Sequence, residues 1–312
     1  DRDCRMTLTE LRYIVAVADQ RHFGHAAEAC HVSQPTLSVA VKRLEQELGV
    51  ILFERSHGEI ALTPTGERVV EQARHALAEA AAVKEIALAS QDELAGPLRL
   101  GAIYTIGPYL LPQLIPQITQ QAPRMPLLVE ENYTAILHEK LKRGELDVII
   151  IALPFDETGI ETRPIYDEPF VVLLPSSHPL ALKEAVTIDE LGDETVLLLG
   201  KGHCFRDQVI EACPHCAPRS DDNPCLQKTL EGASLETIRM MVTSGVGVTV
   251  LPCTAAGADR YAERLLTIRR FEGTPPGRTV ALAWRSSFPR QRAIELLHQV
   301  VAGTNLSCVR MC

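Results

Sequence analysis

The sequence predicts an α/β protein in which a winged helix-turn-helix is followed by one long helix and a two-subdomain α/β domain. Three observations predict this order. Residues 7–60 have helical periodicity and then a hairpin pattern, residues 65–90 carry one unbroken helical pattern, and apolar strands alternate with helices from Leu98 onward. The chain has 312 residues, of which 46% are hydrophobic, so it is long enough to bury more than one core.

The first sixty residues give the order helix, helix, turn, helix, hairpin. "TELRYIVAVADQRHF" and "GHAAEACHV" have the periodicity of the first two helices. Ser33 is an N-cap candidate for the third helix, Pro35 suits its first turn, and Gly49 ends it. Short apolar strands are predicted at Ile51–Phe53 and Ile60–Leu62, on either side of a polar turn.

A seam of small residues follows the hairpin, with members three or four positions apart. Its members are Val69, Ala73, Ala76, Ala80, Val83 and Ala87. This heptad spacing is typical of two helices that pack closely, so we predict a dimerising linker helix. A single amphipathic helix on the surface of one domain is the alternative.

Beyond the break at Gly96-Pro97, strand and helix patterns alternate for about 200 residues. The strand segments are "LRLGAI", "LLVEEN", "LDVIIIAL", "PFVVLLP", "TVLLLG", "GVTVLP" and "TVALAWR". This alternation predicts parallel sheets with helices on both faces. A crossover near Tyr166–Phe170 and a return near Leu265–Gly273 suit two subdomains that share a cleft.

These patterns give a domain plan with three parts. We predict a winged helix-turn-helix over residues 6–64, a linker helix over 65–95 and an α/β domain over 96–312, with subdomain I at about 96–166 and 271–302 and subdomain II at about 167–270.

Charge and cysteine content limit the possible functions. The net charge is −9, and residues 1–60 hold seven basic and nine acidic side chains, so a broad polyanion-binding surface is not predicted. No apolar run is long enough to span a bilayer, and the first residues lack the apolar segment of a signal peptide. We therefore expect a soluble, cytoplasmic, thiol-reducing setting without a membrane partner, in which the nine cysteines are core residues, metal ligands or reactive thiols.

The first domain resembles that of the LysR-type transcriptional regulators. The resemblance rests on "AA" in the second helix, "SQPTLS" at the start of the third, "LEQELGVILFER" after it and "LTPTG" after the hairpin. It continues over nearly the whole chain. It implies a DNA-binding domain, an effector domain of the periplasmic-binding-protein type, and a homo-oligomer in which a dimer of dimers binds promoter DNA.

The third helix would then be the recognition helix, whose N-terminal residues contact base edges. Those residues are Ser33, Gln34, Pro35, Thr36 and Ser38. Gln side chains can pair with adenine, and Thr or Pro can touch a thymine methyl group. The candidates for phosphate contacts are Lys42, Arg43 and Arg55. Helix capping is the alternative role of Ser33 and Thr36.

A second feature is the run "GKGHCFRDQVIEACPHC", which holds three cysteines and two histidines in seventeen residues. Zinc is one interpretation, because Cys204, Cys213, Cys216 and Cys225 contain one C-x-x-C pair, although zinc sites usually need two such pairs. Buried thiols without a role are the second. This second interpretation suits Cys30 and Cys253 in apolar segments, and Cys4, Cys308 and Cys312 near the chain ends.

A redox-active thiol is the third interpretation. Cys204 begins a helical pattern and follows a histidine, and a helix dipole or an imidazolium stabilises thiolate there. A thiolate attacks peroxide and becomes sulfenic acid, which condenses with a second thiol. The run is similar to the sensing segment of the peroxide-responsive LysR-type regulators. This resemblance implies that Cys204 reacts with peroxide and that Cys213 is the resolving cysteine, which forms a disulfide with the oxidised Cys204.

The same resemblance implies a set of peroxide-binding residues and partners. The residues are Thr105, Thr134, His203, Asp207, Gln208 and Arg278, the last by position alone. Helix N-capping is the alternative role of the two threonines. The implied partners are hydrogen peroxide, promoter DNA, RNA polymerase and a thiol reductant such as glutaredoxin or thioredoxin. No cofactor, resident metal or enzymatic activity is expected.

Helix geometry adds a constraint on such a disulfide. If residues 205–213 are helical, Cys204 and Cys213 are separated by roughly 13 Å along the axis, whereas a disulfide needs Cα atoms within about 7 Å. Oxidation would then have to unwind the segment. Cys216 and Cys225 are extra thiols that make another disulfide partner possible. A regulator that senses a small anion in the cleft and a thiol peroxidase remain the alternative functions.

Overall fold

The computed structural model describes residues 6–56, 59–89, 92–216, 234–257, 265–306 and 308–312. The chain divides into two compact units. The first consists of Asp1–Leu88 with Lys142–Gly144, and the second consists of Ala89–Leu141 with Glu145–Cys312.

The first unit has the predicted order of three helices, a hairpin and a long helix. Its elements are α1 (Leu8–Gln20), α2 (Phe23–Ala29), α3 (Gln34–Leu48), β1 (Phe53–Ser56), β2 (Glu59–Leu62) and α4 (Pro64–Ala89). Helix α1 begins with a capping box, in which Thr7 and Glu10 satisfy each other's backbone N–H groups. Helix α3 begins at the N-cap Ser33 and ends at Gly49, which has a left-handed φ of 70°.

The first strand of the hairpin lies two residues later than the sequence pattern predicts. Leu52 is fully buried in the core of the first unit, whereas Ile51 is 67% exposed. The backbone N–H groups of Leu52 and Phe53 donate to the Glu45 carboxylate on α3. The apolar segment at Ile51–Phe53 therefore anchors the hairpin to α3, and pairing with β2 begins only at Phe53.

Gly66 in "LTPTG" is the glycine of this unit that close packing requires. A Cβ atom at this position would lie 2.2 Å from the carbonyl oxygen of Leu52, which belongs to the backbone and cannot rotate away. We therefore expect Gly66→Ala to lower the free energy of unfolding of the first unit by about 1–3 kcal/mol.

Urea denaturation of the full chain, followed by circular dichroism at 222 nm, tests this expectation. Gly49→Ala is the comparison variant, because it shows the cost of a left-handed φ without a steric clash. The Cβ position of Gly49 lies in open space. Equal stability of wild type and Gly66→Ala would contradict the close approach.

The small-residue seam of α4 is only partly free. Ala73 is buried in the core of the first unit, and Val69 and Ala76 pack against the same core. Val83 is 66% exposed. The proximal half of the seam thus packs against its own domain, whereas Val83 in the distal half is exposed, and the dimer contact stays a prediction.

The second unit contains ten strands and seven α-helices among the residues described. They are β3 (Leu98–Ile103), α5 (Gly107–Gln121), β4 (Leu127–Asn132), α6 (Thr134–Lys142), β5 (Val148–Ala152), β6 (Ile160–Pro175), β7 (Ala185–Val186), α7 (Ile188–Leu191), β8 (Val196–Leu197), α8 (Cys204–Ala212), α9 (Leu235–Thr243), β9 (Val248–Pro252), α10 (Cys253–Ala256), β10 (Leu266–Phe271), β11 (Gly277–Arg285), α11 (Gln291–Ala302) and β12 (Arg310–Met311). Two short 3₁₀ helices lie at Pro179–Leu182 and Pro214–Cys216.

The sheet of this unit is mixed, so the prediction of purely parallel sheets is wrong. Strands β3, β4 and β5 pair in parallel, as do β8 with β9 and β10 with β7. Strand β6, however, runs through the whole unit and pairs antiparallel with β11, β10, β9 and β12. The antiparallel pairs arise because β6 carries the chain from one half of the unit to the other and β11 runs back beside it. Parallel pairs would need helical crossover connections.

Two hydrophobic clusters form the core of the second unit. The first cluster lies around β3, β5, β11, α5 and α11, and the second around the latter half of β6 with β8, β9, α8 and α9. This curled sheet with two clusters fits a two-subdomain fold of the binding-protein type. None of the described helices is both long and apolar enough to cross a membrane.

Candidate functional site

Cys204 lies at the first position of α8, as the sequence predicts. Strand β8 precedes it, and the loop between them turns at Gly202, whose φ of 97° suits glycine. Cys204 is half-buried, carries a free thiol and packs against the first hydrophobic cluster. Cys204 therefore lies at the N-terminal end of α8, the positive end of the helix dipole.

His203 is the N-cap residue of α8, but its side chain makes no capping hydrogen bond. The ring is buried between two tyrosines, with centroid distances of 4.7 Å to Tyr133 and 6.0 Å to Tyr104. Burial lowers the pKa of His203 below its ordinary value of 6.5. The imidazole is therefore neutral at pH 7, and the imidazolium considered from the sequence is not the form that this environment favours.

The lowered pKa of His203 predicts a pH dependence of stability. Because the unfolded chain takes up a proton at this residue more readily than the folded chain, this contribution to stability is present above pH 6.5 and should be lost as the pH falls below it. Urea denaturation at pH 7.5 and pH 5.5 measures this loss, and His203→Gln should show a smaller loss than wild type. The same loss in both proteins would contradict this assignment.

Four buried polar atoms, two on or next to α8 and two in the segment of residues 131–134, have no hydrogen-bond partner among the described residues. They are Nε2 of His203, Oε1 of Gln208, Oγ1 of Thr134 and Oε1 of Glu131. Gln208 lies one turn after Cys204 on α8, and Thr134 follows Tyr133, which contacts the His203 ring. Buried polar atoms are usually paired, so this concentration of unpaired atoms is typical of a site for a small polar ligand.

Neither threonine caps a helix, so the capping alternative does not hold for Thr105 or Thr134. Thr134 is the first residue of α6 and its hydroxyl has no partner. Thr105 precedes α5, whose N-cap Ile106 has no side-chain cap, and the Thr105 hydroxyl instead accepts a hydrogen bond from Arg278. Both hydroxyls are therefore available as donors.

Arg278 is buried and uses all three of its guanidinium nitrogens. Nη1 donates to the Thr105 hydroxyl (2.8 Å), Nη2 to the Thr105 carbonyl (2.9 Å) and Nε to the Glu168 carboxylate (2.9 Å). The guanidinium carbon also lies 5.3 Å from the ring centroid of Phe205, the residue after Cys204. Three of its five N–H groups are thus used to hold Thr105 and Glu168, while the guanidinium plane contacts Phe205.

Asp207, another predicted site residue, lies three positions after Cys204 on the same helix. It is exposed in the first turn of α8. There it adds negative charge near the positive end of the helix dipole. Its role in orienting the thiol or peroxide stays a prediction.

Cys213 is the C-cap residue of α8, and it forms a disulfide with Cys216. The Cα atoms are 5.4 Å apart, within the range that a disulfide spans. Helix α8 is intact over Cys204–Ala212, as predicted, so Cys204 and Cys213 lie at opposite ends of it. The alternative disulfide partner suggested by the sequence is thus present as Cys216, while Cys225 lies outside the described residues.

The structure also pairs two cysteines that the sequence analysis assigned no role. Cys253 at the start of α10 forms a disulfide with Cys308, with Cα atoms 6.1 Å apart. The next residue, Thr254, donates from its backbone N–H to the Glu168 carboxylate (3.0 Å). The interpretation of both cysteines as inert or frayed is therefore wrong.

Other functional candidates were missed for a common reason. Tyr104, Tyr133 and Glu168 carry no motif, yet the two tyrosines contact the His203 ring and Glu168 binds Arg278. The only available signal was position, since "GAIYT" and "EENYT" each place a tyrosine before a threonine at the end of a strand. Burial raises the pKa of Glu131, whose carboxylate lies against Gly107 at the start of α5.

Metal ligation receives no support from the residues described. Within residues 6–56, 59–89, 92–216, 234–257, 265–306 and 308–312, no three His, Cys, Asp or Glu side chains are grouped so that they could hold a metal ion. The thiols of Cys213 and Cys216 are bonded to each other.

In the first unit, the predicted DNA-contacting residues lie on one end of α3. Ser33, Gln34, Pro35 and Thr36 are exposed and Ser38 is half-buried. The Ser33 hydroxyl accepts from the Thr36 N–H (3.3 Å), so Ser33 also caps the helix. Of the basic candidates, Lys42 and Arg43 are exposed, and Arg43 lies 3.6 Å from the Glu10 carboxylate. The side chain of Arg55 lies outside the described part of the chain.

Comparison with known families matches both units. Residues 8–67 match the bacterial regulatory helix-turn-helix proteins of the lysR family, and residues 91–305 match the LysR substrate-binding domain. The chain belongs to the LysR family of bacterial transcriptional regulators.

Within that family the chain closely resembles OxyR. It is 37% identical over 296 residues to the DNA-binding transcriptional dual regulator OxyR of Escherichia coli K12, with 95% of each chain covered. It is 40% identical over 290 residues to a probable hydrogen peroxide-inducible genes activator of Mycobacterium avium, covering 93% of this chain and 91% of the relative.

Solved OxyR structures have the same fold. Full-length OxyR from Pseudomonas aeruginosa has a TM-score of 0.79 and 53% identity, covering 99% of this chain and 98% of that one. A hydrogen peroxide-bound OxyR mutant from Corynebacterium glutamicum has a TM-score of 0.62 and 33% identity, covering 97% and 93%. The predicted fold class is therefore confirmed.

Proposed function

We propose that this chain is a transcriptional regulator that hydrogen peroxide activates through oxidation of Cys204. The observation that carries this proposal is the free thiol of Cys204 at a helix N-terminus, beside the buried, unpartnered polar atoms of His203, Gln208 and Thr134. These atoms suit a ligand that is small and both donates and accepts hydrogen bonds, which is the chemistry of hydrogen peroxide. The peroxide-responsive relatives and the peroxide-bound OxyR structure support the same ligand.

The chemistry follows from the residues at the site. The Cys204 thiolate attacks one peroxide oxygen, the O–O bond breaks, and the other oxygen leaves as hydroxide, which takes up a proton to become water. The product is a sulfenic acid at Cys204. Because the Thr105 hydroxyl accepts from Arg278, its own proton is free to donate to the leaving oxygen. The neutral imidazole of His203 accepts or donates one further hydrogen bond.

The second step joins Cys204 to Cys213. The Cys213 thiol attacks the sulfenic acid, a disulfide forms and water leaves. Since α8 separates the two residues by roughly 13 Å, the helix must unwind before the bond forms. This unwinding moves the buried side chains of Phe205 and Val209 out of the second cluster, so we infer that it is the structural change that alters the oligomer.

The output of the switch is proposed to be a change in DNA contacts. The distal part of the α4 seam suits dimerisation, and two winged helix-turn-helix domains per dimer suit a palindromic operator. By resemblance to OxyR, a dimer of dimers binds promoter DNA in the cytoplasm and activates transcription by RNA polymerase. Glutaredoxin or thioredoxin then reduces the disulfide back to two thiols. No enzymatic turnover is required, because a sensor reacts once and waits for reduction.

A gel-shift experiment with reduced and peroxide-treated protein tests this function. Peroxide should change the footprint or mobility of wild type on promoter DNA, and it should leave Cys204→Ser unchanged. Cys30→Ser removes another half-buried free thiol and is the matched control, which should respond like wild type. If Cys204→Ser responds like wild type, the thiol is not the sensor and a cleft-bound effector becomes the better hypothesis. Continuous peroxide consumption with a recycling thiol would instead indicate a thiol peroxidase.

A further inference from the structure

Cys204 and Cys216 are both candidate disulfide partners of Cys213, and the state of α8 decides between these two. In this structure α8 is intact, Cys204 is free and Cys213 is bonded to Cys216. One sulfur atom forms only one disulfide. The bond to Cys216 therefore coexists with a helical α8, whereas a bond to Cys204 requires α8 to unwind.

Cys216 is positioned next to Cys213 by the local backbone that follows α8. It follows in a 3₁₀ helix at Pro214–Cys216, and its backbone N–H donates to the Cys213 carbonyl (2.9 Å). Both sulfurs lie in the second cluster, where Cys213 is 2% and Cys216 is 7% exposed. A thiol three residues away and buried in the same cluster has a high effective concentration at the Cys213 sulfur.

We propose that Cys213 and Cys216 form a second redox centre that takes the disulfide over from Cys204. This inference rests on the proposed function. Peroxide oxidises the Cys204 thiol to sulfenic acid, and Cys213 displaces water to give the Cys204–Cys213 disulfide. The Cys216 thiolate then attacks the Cys213 sulfur, the Cys213–Cys216 disulfide forms, and Cys204 leaves as thiolate. In total, one peroxide is reduced to two waters, two cysteine thiols become one disulfide, and Cys204 is regenerated.

The refolding of α8 gives this transfer its direction. Phe205 and Val209 are buried in the intact helix, and Phe205 packs edge-on against Phe170 with ring centroids 5.0 Å apart. These contacts are lost while Cys204 is bonded to Cys213 and return after transfer. The hydrophobic burial of α8 therefore favours the state with Cys213–Cys216 bonded and Cys204 free, which is the state of this structure.

Transfer makes the response self-limiting. After it, Cys204 reacts with peroxide again, but Cys213 is no longer available to resolve the sulfenic acid. The chain then keeps its helical α8 until a reductant opens the Cys213–Cys216 bond. The activated state would thus end without a reductant, and renewed activation would require one.

Disulfide mapping over time tests the transfer. Fully reduced full-length protein receives one equivalent of hydrogen peroxide, samples are quenched with acid and alkylated, and the disulfide-linked peptides are quantified by mass spectrometry. Cys225 is replaced by serine in every protein, so that it cannot take part. In the otherwise wild-type chain, Cys204–Cys213 should appear first and decay while Cys213–Cys216 and alkylated Cys204 increase.

The variants separate transfer from other routes. In Cys216→Ser, Cys204–Cys213 should persist at least about tenfold longer, because the attacking thiol is missing. Cys312→Ser removes an exposed free thiol and should behave like the unaltered chain. Cys204→Ser should form Cys213–Cys216 much more slowly, because the peroxide reaction begins at Cys204. Far-ultraviolet circular dichroism checks that each reduced variant is folded.

Two results would overturn the inference. One is a Cys204–Cys213 bond that lasts equally long with and without Cys216. The other is Cys213–Cys216 formation at an unchanged rate in Cys204→Ser, which would indicate direct oxidation of that pair. The proposed function fails differently, since Cys216→Ser would then form no Cys204–Cys213 bond at any time.

Discussion

Arg278→Met is expected to lower the free energy of unfolding of the second unit by about 3–5 kcal/mol. The side chains of Arg278 and Glu168 are both 0% exposed and form an ion pair with an N–O distance of 2.9 Å. Removing the guanidinium leaves the Glu168 carboxylate buried without its cation, and it also removes both hydrogen bonds to Thr105. The desolvation cost of an unpaired charge dominates this loss.

Urea denaturation followed by tryptophan fluorescence measures the effect. Trp284 is the single tryptophan of the chain and lies in the first cluster of the second unit, so its emission reports on this unit. Arg310→Met is the matched control, because Arg310 pairs with Asp167 at the surface, and it should change stability little. The double variant Glu168→Gln with Arg278→Met should recover part of the loss. Equal effects of Arg278→Met and Arg310→Met would contradict the argument.

Removal of the Cys253–Cys308 disulfide is expected to cause the second large decrease in the free energy of unfolding. The bond closes a loop across 55 residues of sequence separation. In the chain-entropy model, such a loop stabilises the folded state by about 4 kcal/mol relative to the reduced chain. Under oxidising conditions, Cys253→Ser with Cys308→Ser should therefore unfold at a distinctly lower urea concentration than wild type.

The short Cys213–Cys216 loop supplies the control for that measurement. Its sequence separation is three residues, so Cys213→Ser with Cys216→Ser should cost only about 2 kcal/mol in the same model. Both pairs of variants should match reduced wild type closely when a phosphine reductant is present. A larger loss from the short loop than from the long one would show that packing, rather than loop closure, determines the difference.

Local patterns in the sequence predicted much of the fold. The helices of the first unit, the position of Cys204 at the start of α8 and the integrity of that helix all follow from periodicity and capping within a few residues. The first hairpin strand was predicted two residues too early because Leu52 is apolar for burial in the core of the first unit, not for strand pairing. Periodicity does not distinguish these two roles.

Features that depend on contacts between distant segments were not predictable. Arg278 meets Thr105 across 173 residues and Glu168 across 110 residues, and no spacing rule links such positions. The disulfide pairing of the cysteines could not be predicted for the same reason, since the number of cysteines does not determine which of them are bonded. The antiparallel return through β11 was missed because buried strands of either direction have the same apolar pattern.

The length of β6 has a mechanical consequence for the second unit. Its sixteen residues extend over about 50 Å, and they are hydrogen-bonded to β11 in the first part and to β10 and β9 in the second. One of the two connections between the halves is thus a paired ribbon, with one irregularity between Val280 and Ala281, while the return connection over residues 272–276 is a short loop. A clamshell motion would have to bend this ribbon, whereas α8 can rearrange without breaking any pair of β6. The architecture favours a signal carried by a local change of surface shape over one carried by domain closure.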